Sequence, residues 1–231
     1  MKRNLFILLL LLFPLMLLAQ KEAKPIKVAC VGNSITEGFA LAHPETESYP
    51  AVLQRLLGDG YQVGNFGLTA HTLMMKGNLP YMSKQPFKDA QAFLPDIVTI
   101  KLGTNDSKPI NWIHKEDFKK DLNTMIDAFE ALPSHPRIYL CLPIPSNRKD
   151  WGINDSTIVN GIIPRIREVA HERNLPVIDL HTPMLPYYPK EYTDGVHPNK
   201  YGAIVIAENI YKALTGKEPV PAPGRADQTL W

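Results

Sequence analysis

The sequence predicts an α/β fold, a flavodoxin-like three-layer α/β/α sandwich with a five-stranded parallel sheet. Three observations predict it. Five short apolar runs bounded by Gly, Pro, Asn or Asp read as buried strands. Segments with apolar residues at helical spacing lie between them, and strands alternating with helices imply a parallel sheet covered on both faces. The chain has 231 residues, enough for one sizeable core.

The first strand is expected at 26–32 (IKVACVG), an apolar run closed by Gly32. A helix follows at 49–57 and a second strand at 61–66. The third strand is 96–102 (DIVTIKL). Phe118, Leu122, Met125, Ile126, Phe129 and Leu132 then keep helical spacing, which predicts a helix over 116–132. The fourth strand is 137–142 (RIYLCL), and the next helix, 156–173, is expected to be disturbed at Pro164. The fifth strand is 176–180, and a helix over 199–214 closes the pattern with Asn199 as its cap. Five strands of this kind fit the order 2-1-3-4-5. Cys30 and Cys141 then lie two strands apart, about 9.6 Å at about 4.8 Å per step. A disulfide needs Cα atoms within about 7 Å, so two buried free thiols are expected.

Three segments divide the chain. Residues 1–19 read as a signal peptide: Lys2 and Arg3 precede an apolar run, 5–19, that is short for a bilayer span and ends in Leu17-x-Ala19. No Cys follows Ala19, so no lipid anchor is expected. The expectation is an exported bacterial protein, periplasmic or secreted, without a stable membrane anchor. Residues 20–214 form the domain. Residues 215–231, with Pro219, Pro221 and Pro223, form a Pro-rich tail expected to be partly ordered and packed by Trp231. Composition excludes several function classes. Hydrophobic residues make up 45% and charged residues 21%, which is neither a disordered nor a collagen-like balance. Lys and Arg number 25 against 23 acidic residues. Without Lys2 and Arg3 the balance is neutral, which argues against nucleic-acid binding.

Doubly wound sheets place ligands beyond the carboxyl ends of their strands. Polar residues gather there: Gly32-Asn33-Ser34 after the first strand, Asn65-Phe66-Gly67 after the second, Gly103-Thr104-Asn105-Asp106 after the third, and Asp194-Gly195-Val196-His197 beyond the fifth. A Ser hydroxyl needs a base to take its proton, and His is the usual base near neutral pH. The base needs a carboxylate to orient its ring. Asp194 and His197 are close enough in sequence to share a loop. Acyl transfer also needs donors aimed at a developing oxyanion; the N–H groups of Ser34 and Gly67 and the Asn105 amide are candidates. Asp106 reads as a brace for its loop. No His-x-x-x-His or Cys-x-x-Cys spacing suggests a metal, and no cofactor is expected.

These four blocks, in this order across 26–214, resemble the SGNH, or GDSL-like, hydrolases. The resemblance implies the SGNH hydrolase fold. It also implies a carboxylic ester hydrolase with Ser34 as nucleophile, His197 as base, Asp194 as orienting acid, and Ser34, Gly67 and Asn105 as oxyanion hole. Two departures stand out: Asn33 replaces the family's common Asp, and Leu68-Thr69-Ala70-His71 runs where many relatives carry a second Gly. The runs VGNSITEG and LGTNDSKPINW look most like bacterial carbohydrate acetylesterases, nearest the sialate O-acetylesterase-like group, with xylan acetylesterases close by. An acetylated glycan is the partner this implies. Trp112 and His71 are candidate sugar contacts. The loop 146–154, with Arg148, Lys149 and Trp151, is placed to overhang the site, Arg148 as a candidate for a substrate carboxylate. Lys101 is expected to lie buried against a carboxylate with no catalytic part. A lipid esterase or thioesterase on the same scaffold is the alternative, and a non-catalytic glycan-binding module is a more distant one.

Overall fold

The computed structural model describes residues 24–220. The expected signal peptide, 1–19, and the tail beyond 220, Trp231 included, lie outside the described residues. The sheet has five parallel strands: β1 (Ile26–Gly32), β2 (Tyr61–Gly67), β3 (Ile97–Lys101), β4 (Arg137–Cys141) and β5 (Val177–Ile178). Their order is β2-β1-β3-β4-β5, as the sequence predicts. Cys30 and Cys141 are buried and unpaired, as strands two places apart require.

Successive residues of a strand point to opposite faces, and each face has its own helical layer. Ala29, Val31, Val98, Ile100, Ile138 and Leu140 pack under α3 (Gln85–Ala92), α4 (Phe118–Glu130) and α5 (Ile163–Glu172). Val28, Cys30, Tyr139, Cys141 and Ile178 pack under α2 (Tyr49–Leu57) and α6 (Lys200–Thr215). A short turn of helix, α1 (Ser34–Glu37), follows β1 directly. The helix α4 shows why these segments are helical. Phe118, Leu122, Met125, Ile126 and Phe129 form one buried stripe, each burial worth about 1.5–3 kcal/mol.

The structure differs from expectation in several places. The helix over 156–173 is three pieces, with a π-helical stretch at Ile158–Ile162 before α5. The ring of Pro164 offers no N–H to the carbonyl four residues back, and the wider turn absorbs that break. The helix α3 has few apolar residues, so its period is weak in sequence; only Phe87 and Ala90 are buried along it. The fifth strand pairs over only two residues. The last helix runs one residue further than predicted, to Thr215, and Gly216 ends it at φ +69°.

Candidate active site

The carboxyl ends of β1 and β3, the segment after β2, and the loop before α6 meet at one rim. Asn33 caps α1, its Oδ1 accepting the Ile35 N–H at 3.1 Å. Ser34 is therefore fixed in the first helical turn, where backbone N–H groups lack intrahelical acceptors. Gly32 permits this sharp exit, because a Cβ there would lie 2.0 Å from Thr36 Oγ1.

Asp194 shapes the loop that carries His197. Its Oδ1 accepts the N–H groups of Val196 at 3.0 Å and His197 at 2.8 Å. Gly195 completes the turn at φ +82°. The other oxygen, Oδ2, lies 2.7 Å from His197 Nδ1, and His197 Nε2 lies 2.8 Å from Ser34 Oγ. With Nδ1 protonated toward the carboxylate, Nε2 is left to accept the Ser34 hydroxyl proton. Burial holds the His197 pKa below the usual imidazole value, and the Lys101 and Arg148 cations add to the effect; the Asp194 hydrogen bond opposes it. Burial works against ionisation of Asp194, but its hydrogen bonds from His197 and Val196 bring its pKa below the usual carboxylate value.

Asn105 stands beside this chain of groups. Its Nδ2 donates to the His71 carbonyl at 3.1 Å, which leaves a second N–H on the amide. Asp106 is fully buried and accepts the N–H groups of Leu73 at 3.0 Å and Met74 at 2.8 Å. Burial raises its pKa to about 6, against those two hydrogen bonds. It braces the loop, as expected.

Ser34, Asn105 and His197 open onto a cavity of about 380 Å³, walled also by Phe39, Thr69, Ala70, Lys108, Trp151 and Ile153. The rings of Phe39 and Trp151 flank His197 at centroid distances of 4.7 and 5.7 Å. Among the described residues, no group of three His, Cys, Asp or Glu side chains could hold a metal.

Five expectations need correction. Gly67 does not wall the cavity: its N–H donates to Asn65 Oδ1 at 3.0 Å. Its lack of a side chain serves packing, since a Cβ there would lie 2.1 Å from the Glu37 nitrogen. Ala70 walls the cavity instead, at φ +66°, and its N–H has no acceptor among the described residues. Trp112 faces away from the cavity, its ring against Phe118 and against the small surface of Gly161. His71 is buried with Nδ1 on the Thr69 carbonyl at 2.7 Å, outside the cavity wall; its backbone carbonyl, rather than its ring, serves the site by holding Asn105. Arg148 is not open to a substrate carboxylate, because its guanidinium meets Asp194 at 3.1 Å and Asp150 at 3.1 Å. Lys101 is fully buried, yet no carboxylate meets it: Nζ has no hydrogen-bond partner among the described residues. Burial lowers its pKa to about 7.

The sequence alone does not single out Phe39, Ala70 or Lys108 as wall residues. The signal for Ala70 was its place in the run where relatives carry a second Gly. The conformation that matters, φ above zero, is invisible in the residue type.

The profile of the GDSL-like lipase/acylhydrolase family matches residues 30–203. A protein of Xylanibacter ruminicola named acetylxylan esterase is 47% identical over 206 residues, covering 82% of this chain and 43% of that protein. The chain thus spans less than half the length of that relative. Among solved structures, Est24, a carbohydrate acetylesterase from Sinorhizobium meliloti, superposes with a TM-score of 0.70 at 18% identity, over 83% of this chain and 99% of the other. An aryl esterase of M. smegmatis gives 0.64 at 16%, over 83% and 99%. These two likenesses establish the fold.

Proposed function

Because the chain belongs to the GDSL-like lipase/acylhydrolase family, whose chemistry is carboxylic ester hydrolysis, we propose that it removes O-acetyl groups from carbohydrates through an acetyl-enzyme on Ser34. The observation that carries this reading is the continuous relay from Ser34 Oγ to His197 Nε2, at 2.8 Å, and from Nδ1 to Asp194, at 2.7 Å, at the edge of one cavity.

In the first step His197 Nε2 takes the Ser34 proton while Oγ attacks the ester carbonyl. The Ser34 and Ala70 N–H groups and the free Asn105 amide hydrogen receive the oxyanion. Each such donor is worth about 10²- to 10³-fold in rate. Ala70 takes the part the sequence assigned to Gly67. The imidazolium then gives its proton to the sugar oxygen, which leaves. Water, deprotonated by His197, attacks the acetyl-enzyme, and acetate departs as Ser34 recovers its proton.

The walls support a small acyl group on a sugar. The cavity is at the small end of the roughly 300–1,000 Å³ typical of small-molecule sites. Such a space suits an acetyl group and a sugar ring better than a long acyl chain. Acetylated xylan is the first candidate, in line with the name of the Xylanibacter relative. A second reading, an acetylated sialic or uronic acid, is favoured by Lys108. It is a half-buried cation on the cavity wall and makes no ion pair among the described residues. Export through cleavage after Ala19 belongs to the same reading. No helix among the described residues is long and apolar enough to cross a membrane.

The test is acetate release by the purified chain from acetylated xylan, O-acetylated sialic acid and acetylated pectin, with Ser34→Ala as control. We expect release from at least one, lost in the variant. Cleavage of long-chain acyl esters alone would move the protein to the lipid branch. N-terminal sequencing of the exported protein should begin at Gln20.

A further inference from the structure

Asp194 has a partner that the hydrolytic relay does not use. Oδ2, the oxygen that meets His197 Nδ1 at 2.7 Å, is also met by Arg148 Nη1 at 3.1 Å. The same guanidinium binds Asp150 through Nε at 3.1 Å. Its carbon lies 3.6 Å from the centre of the Trp151 ring. Trp151 walls the cavity, and its ring packs edge-to-face against His197. One planar cation thus touches both the acid behind the base and the aromatic wall in front of it.

The loop that presents Arg148 is closed. Arg148 and Ile153 exchange backbone hydrogen bonds of 3.0 and 3.1 Å around Gly152, which sits at φ +72°. The Asn147 N–H donates to the Gly195 carbonyl at 2.9 Å, so this loop is docked on the loop of Asp194. A guanidinium can hold a carboxylate and stack on a ring at once; an ammonium supplies only the charge.

We propose that Arg148 is a positioning residue that fixes the Asp194 carboxylate behind His197 and holds Trp151 as the wall on which the substrate's sugar ring stacks. This rests on the proposed carbohydrate esterase reading. It has an electrostatic consequence. The charged groups facing His197 are Asp194 on its own loop, Lys101 at the end of β3 and Arg148 on the docked loop. Lys108 stands on the cavity wall, and Asp150 lies behind Arg148. Arg148 opposes formation of the imidazolium. Removing it should therefore make His197 protonate at higher pH.

The experiment compares wild type, Arg148→Met and Arg148→Lys. The readouts are the acid limb of kcat/KM against pH, the NMR titration of the His197 ring, and KM for an acetylated oligosaccharide and for a small aryl acetate. In Arg148→Met both midpoints should rise. In Arg148→Lys the charge is kept and the midpoints should stay near wild type. In both variants KM for the oligosaccharide should rise about tenfold, the flat stack being lost, while KM for the small ester stays within about twofold. Unchanged midpoints in Arg148→Met, or an equal rise of KM for both substrates, would overturn the proposal. If Arg148→Met does not fold, Arg148→Lys alone still decides the stacking half, through the split between substrates. The NMR titration needs no substrate. A wild-type chain that cleaves no sugar ester would sink the functional reading and the stacking half, while leaving the Asp194 half measurable.

Discussion

The two faces of the sheet are built from alternate residues of the same strands, yet only one is uniformly apolar. Toward α3, α4 and α5 the strands present Ala29, Val31, Val98, Ile100, Ile138 and Leu140. Toward α2 and α6 they present Cys30, Thr99, Lys101, Tyr139 and Cys141, and Tyr49 adds its hydroxyl, 3.0 Å from Thr36 Oγ1. The first face can do no more than hold the layers together. The second ends beneath His197 and carries a cation with no partner among the described residues. Burying an unpaired polar group costs stability. The difference teaches that the fold accepts a less stable interior on the side where the charge state of its base is set.

Three substitutions sharpen or break that contrast. The largest effect belongs to the rim. Asp194→Asn should lower kcat by about 10⁴-fold, because the amide favours the wrong imidazole tautomer, and the melting temperature should move little. A fall of less than tenfold would remove Asp194 from the relay. On the apolar face, Phe129→Ala should do the reverse. Phe129 is fully buried and meets Phe87 edge-on at 5.6 Å. Its truncation should cost about 3–5 kcal/mol in denaturant unfolding, with kcat near wild type at a temperature where the chain is folded.

The smallest effect, and the most diagnostic, is Lys101→Met. The pKa of Lys101 is lowered to about 7 in the folded chain from an ordinary 10.5. Between those values the unfolded chain binds a proton that the folded one lacks, so stability rises with pH across the window. Below about pH 7 the whole penalty is present. Lys101→Met should therefore stabilise the protein by roughly 1–4 kcal/mol at pH 6, and the gain should shrink toward pH 10. It should also raise the acid midpoint of kcat/KM, since the Lys101 cation opposes the imidazolium. In wild type that midpoint should lie below the usual imidazole value of about 6.5. Equal unfolding free energies for the two proteins at pH 6 would mean that the cation is better solvated than its burial implies.

Much of this was legible in the sequence. Val28, Val31, Ile100 and Leu140 sit in short apolar runs that read as strands, and the alternation with helices implies a parallel sheet that the order 2-1-3-4-5 fits. Ser34, Asn105, Asp194 and His197 stand at strand ends or beyond them, where the topology gathers polar groups. What was hidden depends on direction rather than residue type. Gly67 looked like an oxyanion donor, but its N–H turns to Asn65 and its bare Cα lets α1 approach. The sequence offers Trp112 as the sugar contact and Trp151 only as part of a loop overhanging the site. Only the folded loops show that one packs inward on Phe118 and the other on the cavity beside His197. Lys101 looked like half of an ion pair, because a sequence shows the charge and not the absence of its partner.

The two cysteines have a practical side. Both thiols are buried, and burial pushes the Cys30 pKa up to about 12 and that of Cys141 higher still. The nucleophilic form is the thiolate, so neither should react with maleimides or iodoacetamide while the chain is folded. Since the sequence holds no other cysteine, a single Cys introduced on the exposed surface, at Lys149 for instance, could be labelled without first stripping the native ones. A fluorophore there would report on the loop beside Trp151 in an otherwise unaltered protein.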